Sequence, residues 1–191
     1  MIREALRALA ACVLTFALCA LAYPASVWLL GQALFPAQAE GSLLRDREQA
    51  VIGSRLVAQP FASDRYFHPR PSAVDYNASA AGGSNLGTTN PDLRDKVRTR
   101  AEALDATAEV PAPVDLASAS GSGLDPDITP EAARYQAERV AKARDLPPSR
   151  VRELIDARTN TSASILGAPP RVNVLLLNLA LDAEKPAPAA R

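Results

Sequence analysis

Ala8-Leu9-Ala10-Ala11-Cys12-Val13-Leu14-Thr15-Phe16-Ala17-Leu18-Cys19-Ala20-Leu21-Ala22-Tyr23-Pro24-Ala25-Ser26-Val27-Trp28-Leu29-Leu30 opens a run without charge that continues to Ala39. A hydrocarbon layer about 30 Å thick is crossed by about 20 apolar residues rising about 1.5 Å each, so the stretch is long enough to span it. Its Leu, Val and Phe residues supply about −3 to −5 kcal/mol of insertion free energy, of which Thr15, Ser26 and Pro24 subtract only part. Trp28 suits the interfacial aromatic belt, and Pro24 bends such a helix without forbidding it. The competing reading is a cleaved signal peptide, since Ala37-Gln38-Ala39 has a small-x-small pattern. A signal core runs about 7 to 15 residues, and this run is longer, which favours a retained anchor. Leu9-Ala10-Ala11-Cys12 resembles a lipoprotein box only faintly, because Arg7 lies too close for a signal core to fit between.

Orientation rests on Arg3, Arg7 and the amino terminus before the span, against Glu40, Arg45, Asp46 and Arg47 after it. Acids count little in the positive-inside rule, so the reading is N-terminus inside and bulk outside. Cys12 and Cys19 fall within the span and no cysteine follows, so no disulfide staples the remainder. A stapleless extracytoplasmic domain fits a bacterial envelope protein large enough to be held by its core.

The chain has 191 residues, with 16 Pro and 9 Gly, which is one ordinary domain plus an anchor. Its 21 Lys and Arg balance 21 Asp and Glu, so nothing in the charge balance points to nucleic acid as a partner. The expected architecture is α+β: one N-terminal transmembrane helix followed by a single mixed α/β soluble domain. Residues 1–7 are placed in the cytoplasm, 8–34 across the membrane and 35–185 in the extracytoplasmic domain. A disordered Pro/Ala tail follows at 186–191.

Within that domain, Ser42–Arg45 and Ala50–Val57 read as one or two strands. Residues 62–89 are loop-rich. Asn90 then caps a helix with Pro91 at its first position and Asp92 against the dipole, and Leu93, Val97, Ala101 and Leu104 form its stripe. Thr129-Pro130-Glu131 repeats that start for a helix running to about Arg144, with Ala133, Ala137, Val140 and Ala141 inward and a Glu138–Lys142 pair. Pro147-Pro148 stop it, and a third helix after Ser149 presents Val151, Leu154 and Ile155. For Val172 to Asp182, the alternation of Leu175, Leu177, Leu179 and Leu181 favours a strand while the Leu/Ala content favours a helix; both readings stand.

Little here is equipped for catalysis. His68 is the only histidine, and a Ser-His triad would have to pair it with Ser84 or Ser122, with no Gly-x-Ser-x-Gly elbow present. That membrane-anchored envelope hydrolase is the alternative reading, against a loop histidine bonded to backbone. Arg70, fixed between Pro69 and Pro71, suits a defined contact. Gly82-Gly83-Ser84-Asn85-Leu86-Gly87 could cradle a phosphate, but it lacks the P-loop lysine and reads better as a tight turn leading to the Asn90 cap. Asp125-Pro126-Asp127-Ile128-Thr129 imitates an aspartyl-phosphate motif, yet Ser120-Gly121-Ser122-Gly123 stand where a buried strand is required. No metal cage and no directly bound cofactor is expected.

Taken together, Tyr66-Phe67-His68-Pro69-Arg70-Pro71-Ser72-Ala73, Gly82 to Gly87 with Thr89-Asn90-Pro91, Ala119 to Pro126, Ile128-Thr129-Pro130, Arg139-Val140-Ala141, Ala143-Arg144 and Val172-Asn173-Val174-Leu175 with Leu177 to Asp182 resemble the C subunit of the Kdp-type ATP-driven potassium importers of bacteria. The resemblance spans nearly the whole chain. It implies a non-catalytic subunit of the inner membrane, beside a channel-like potassium-binding subunit, a P-type ATPase subunit and a small single-span peptide. It also implies a chaperone-like role in ATP binding by the ATPase subunit, with ATP and potassium handled by the complex. Arg70, Ser72, Gly82, Gly83, Ser84, Asn85, Gly87, Asn90, Ser120, Gly121, Ser122, Gly123, Asp125, Asn173 and Asn178 are then expected to serve structure or interfaces. Two departures stand out: Leu146-Pro147-Pro148-Ser149-Arg150 lacks the Gln of the Leu-Ser-x-x-Gln found in some members, and Thr88 replaces a frequent Pro.

Overall fold

The computed structural model describes residues 1–162 and 164–184, so the tail expected at 186–191 lies outside the described residues. The chain divides into two compact units, Met1–Leu44 and Arg45–Arg191.

The first unit is dominated by one helix, Ile2–Leu34 (α1), none of whose most apolar window is buried. Over Ala17–Ala22 its ladder widens to the π form, just ahead of Pro24. A proline ring collides with the carbonyl four residues back, and one wide turn accommodates it. A short turn of helix, Pro36–Ala39 (α2), and a strand, Leu43–Arg45 (β1), follow.

The second unit begins with the strand Val51–Ser54 (β2). Pro91–Ala103 (α3) starts as the sequence dictates: Asp92 N–H donates to Asn90 Oδ1 at 2.9 Å, with Pro91 at the first position. Its stripe of Leu93, Val97, Ala101 and Leu104 is half-buried. A single-turn helix not foreseen in the Pro/Gly-rich stretch, Val114–Ala117 (α4), buries Leu116 and Ala117.

The core forms where Asp127–Ile128 (β3), Pro130–Arg144 (α5), Pro148–Arg158 (α6), Thr159–Asn160 (β4), Arg171–Asn173 (β5) and Val174–Glu184 (α7) meet. Strand β5 is central in an antiparallel sheet, pairing Ile128↔Val172 on one side and Thr159↔Val172 on the other. Thr129 caps α5 by accepting from Ala132 N–H at 3.2 Å. Ala132, Ala133, Ala137, Val140 and Ala141 are all buried, and such small side chains let neighbouring elements approach closely. Asp145 ends α5 in the left-handed region at φ 60°. Pro148, with Pro147 as its N-cap, therefore starts α6, two residues earlier than the expected start after Ser149, since proline fits the first helical turn. Glu138 forms its ion pair with Arg152 on α6 instead of within its own helix.

The open question at Val172 to Asp182 resolves both ways. Three residues continue the sheet, then Asn173 Oδ1 accepts from Leu176 N–H at 3.1 Å and turns the chain into helix. Leu177 and Leu181, one turn apart, are both fully buried.

Candidate functional site

The stretch Arg65 to Ser72 belongs to no helix or strand, and its backbone groups are satisfied mainly by side chains. Phe67, fully buried, donates its N–H to Asn178 Oδ1 at 2.8 Å and accepts from Asn178 Nδ2 at 3.0 Å. His68 donates its N–H to Gln136 Oε1 at 2.8 Å and accepts from Gln136 Nε2 at 3.1 Å. Arg139 Nη2 donates to the Tyr66 carbonyl at 3.1 Å, and Arg144 Nε donates to the Arg65 carbonyl at 2.6 Å. Arg144 is fully buried, its guanidinium 4.8 Å from the Tyr66 ring centroid and 2.8 Å from Asp182. A buried backbone must be paired, and here helices α5 and α7 do what a neighbouring strand would.

This path delivers Arg70 to a cluster of acids. Arg70 lies 3.2 Å from Asp125 and 3.7 Å from Asp115, and its own carbonyl accepts from Tyr76 Oη at 3.0 Å. Asp115 accepts from Thr129 N–H at 2.8 Å, and Asp127 pairs with Arg171 at 3.3 Å. A cavity of about 220 Å³ lies among these groups. Burial raises the Asp127 carboxyl above its ordinary value, opposed by the Asn173 hydrogen bond and the Arg171 charge. Among the described residues no cluster of acids, histidines or cysteines is arranged to hold a metal ion.

Beside Arg70 the two Gly-rich loops pack on each other. Gly82 N–H donates to the Ser122 carbonyl at 2.8 Å. A Cβ on Gly83 would lie 2.8 Å from the Gly121 carbonyl oxygen. Gly123 has φ 69°, and a Cβ there would meet Val74 at 2.5 Å and Ser72 Oγ at 3.1 Å. Buried Ser120 accepts from Gly123 N–H at 3.1 Å and Asp125 N–H at 3.4 Å, and Ser122 Oγ accepts from Leu124 N–H at 3.1 Å. These hydroxyls shape a turn.

His68 is half-buried between two cavities, of about 390 and 530 Å³, that share Leu104 and Gln136. Its Nε2 lies 3.2 Å from the Ser63 carbonyl, which puts the proton of the neutral ring on Nε2. Burial first, then the Arg139 charge, lower its pKa from 6.5, against the Ser63 bond and Asp64. Among the described residues no hydrogen bond joins His68 to Ser84 or Ser122.

The family model described as "KdpC: K+-transporting ATPase, c chain" matches residues 5–183. The chain belongs to the KdpC family. Similar KdpC proteins, each named potassium-transporting ATPase KdpC subunit, come from Burkholderia cenocepacia strain HI2424, Parvibaculum lavamentivorans and Methylobacterium nodulans. The first is 53% identical over 173 residues, covering 87% of this chain and 89% of the relative. The second is 50% identical over 168 residues, covering 88% and 90%. The third is 49% identical over 177 residues, covering 85% and 88%.

In this KdpC chain, the structure gathers Arg70, Ser72, Gly82, Gly83, Ser120, Gly121, Ser122, Gly123 and Asp125 at one place. Asn90 is a helix cap, Asn173 joins β5 to α7 and donates to the Arg55 carbonyl at 3.0 Å, and Asn178 holds Phe67. Ser84 is half-buried, while Asn85, at φ 54°, and Gly87 are exposed, with open space around a Cβ on Gly87. Sequence reasoning did not single out Asp115, Gln136, Arg139, Arg144 or Asp182 as site residues. A signal existed for two of them: Gln136, Val140 and Arg144 recur every four residues beside the alanine stripe, so two polar groups lie on the buried face of α5.

Proposed function

We propose that this chain is a non-catalytic, membrane-anchored subunit of a bacterial ATP-driven potassium importer. It assembles and stabilises the potassium-binding subunit, the P-type ATPase subunit and the small single-span subunit. Helix α1 crosses the inner membrane once, with residues 1–7 in the cytoplasm and the α+β domain outside. The observation that carries the reading is α1 itself, a 33-residue apolar helix whose most apolar window has no cover from its own fold. Such a helix is stable against lipid and partner helices.

The chaperone-like promotion of ATP binding attached to this family acts, in this reading, through the assembled complex. The Gly-rich loops support that choice, since they pack on each other and carry no lysine for a phosphate. Potassium and ATP are then handled by the companion chains, with no cofactor held by this one.

Topology is tested by Ser162→Cys in a chain whose Cys12 and Cys19 are replaced by serine. Ser162 is exposed, so a membrane-impermeant maleimide should label it in intact cells with a permeabilised outer membrane. Protection until the inner membrane is lysed overturns the outward orientation. Detergent extraction of the tagged chain should bring the companion chains with it. A mature chain that is water-soluble, begins at Glu40 and comes alone overturns the whole reading.

A further inference from the structure

We infer that the cavity of about 390 Å³ between α3, α4, α5 and the stretch from Pro60 to Tyr76 is a binding site for a small organic acid, one carboxylate on an apolar body, seated on Arg100. The inference goes beyond the subunit role and does not rest on it.

The walls are apolar. Phe61, Pro69, Pro71, Leu104 and Leu116 line the cavity, and Pro69 and Leu116 are themselves buried. Arg100 stands among them, and no Asp, Glu or Lys joins it in the lining. It is half-buried and anchored, one guanidinium N–H donating to the Ala117 carbonyl at 3.1 Å at the end of α4. Among the described residues no carboxylate forms an ion pair with it, whereas Arg70, Arg139 and Arg144 each meet one. A guanidinium is a planar fork of N–H donors, so an oxygen pair can still be held.

Tyr76 is kept at the same cavity under strain. Asp75 and Tyr76 both take left-handed φ, 50° and 58°, which residues other than glycine seldom adopt in succession. Ser72 Oγ accepts from Val74 N–H at 3.1 Å and Tyr76 N–H at 3.0 Å, and Tyr76 Oη donates to the Arg70 carbonyl at 3.0 Å, which fixes the ring. Burial raises the Tyr76 pKa and the Arg100 charge opposes it, so the guanidinium lies near the phenol.

These features select the class of ligand. A neutral apolar molecule would desolvate Arg100 without a counter-charge, and a cation would be repelled. A bare inorganic anion would pair with the guanidinium and leave the apolar walls wet, as would an Asp or Glu side chain from a companion. His68 also lines the cavity, and burial first, then the Arg139 charge, keep its ring neutral, so a single negative charge suffices. The volume falls in the range of about 300 to 1,000 Å³ that holds small ligands.

The full chain purified in detergent should bind para-fluorophenylbutyrate saturably, read as broadening of the fluorine NMR line beyond that in detergent alone. The uncharged amide of the same acid should bind about tenfold more weakly or worse. Arg100→Met should lower affinity for the acid about tenfold or more, with an unchanged melting temperature. Ala103, exposed on α3 at the cavity, offers a second variant: Ala103→Trp keeps Arg100 and fills the space, so it should abolish binding. Equal binding of acid and amide, no saturable binding, or full binding by either folded variant overturns the site. So does the α-amide of N-acetylglutamate binding as tightly as the probe, which would assign the cavity to an acidic side chain of a companion. The measurement needs no companion chain, so failure of the subunit role would leave its outcome standing.

Discussion

Asn178 and Phe67, 111 positions apart in sequence, are joined by two hydrogen bonds, the amide of one accepting the N–H and meeting the carbonyl of the other. Gln136 repeats the arrangement at His68, so amides from α7 and α5 together stand in for a missing strand. The consequence is a fixed path from Phe67 in the core to Arg70 at the acid cluster. The Tyr66 to Ser72 stretch is thereby a structural cable.

Replacing Asn178 by Leu keeps the volume but leaves a buried N–H and a buried carbonyl without partners. Each orphaned group costs about 1 to 3 kcal/mol, so the loss should be about 2 to 6 kcal/mol. The urea midpoint of the full chain in detergent reads it. An unchanged midpoint means that the cable is held by something else.

Gly83 and Gly123 should both reject valine, for different reasons. At Gly123 the backbone is left-handed and a Cβ collides with Val74 and the Gly82 carbonyl; at Gly83 the obstacle is the Gly121 backbone alone. Either Gly→Val change should destabilise by about 2 kcal/mol or more and reduce subunit recovery, whereas Gly87→Ala, with open space around it, should stay within about 0.5 kcal/mol. Normal assembly and import by both valine variants would show that the loops tolerate separation.

What was legible in the sequence was what is local. Asn90-Pro91-Asp92 and Thr129-Pro130-Glu131 announce α3 and α5 because a cap, a proline and an acid act on the same helical turn. The uncharged run up to Ala39 announces α1 because insertion depends on composition. Val172 to Asp182 was ambiguous because period-two and helical patterns overlap over so few residues, and the choice is made by the Asn173 side chain accepting from Leu176. The roles of Asn178, Arg144 and Asp115 were illegible, since each is defined by a partner brought close only by the fold. The constraint on Gly83 was illegible for the same reason: no positive φ is involved, only a neighbouring loop.

His68 should matter to pH response and not to chemistry. Its pKa is lowered in the folded protein, so below about 6.5 the unfolded chain takes up a proton that the native one refuses. That contribution to stability is complete above 6.5 and declines as pH falls toward the native value. His68→Gln should flatten this part of the melting-temperature profile. Asp127 acts in the opposite sense: its raised pKa means that the native state gains stability on protonating first, in a window just above 3.8. Growth on trace potassium should be unchanged in His68→Ala, and loss of transport by a folded, assembled His68→Ala chain would revive the hydrolytic reading.

Arg144 and Asp182 supply the sharpest test of the core. The guanidinium is fully buried and spans the Arg65 carbonyl, the Tyr66 ring and Asp182, while Tyr66 Oη donates to the other Asp182 oxygen at 3.3 Å. Removing the carboxylate takes a hydrogen-bonded counter-charge away from a buried cation, so Asp182→Ala should cost about 3 to 5 kcal/mol, and Asp182→Asn less because an acceptor remains. Removing both charges relieves the desolvation that makes the single change expensive. Arg144→Met with Asp182→Leu should therefore be more stable than the sum of the single losses predicts, by about 0.5 to 3 kcal/mol in a double-mutant cycle. Strict additivity in that cycle would mean that the two side chains act independently.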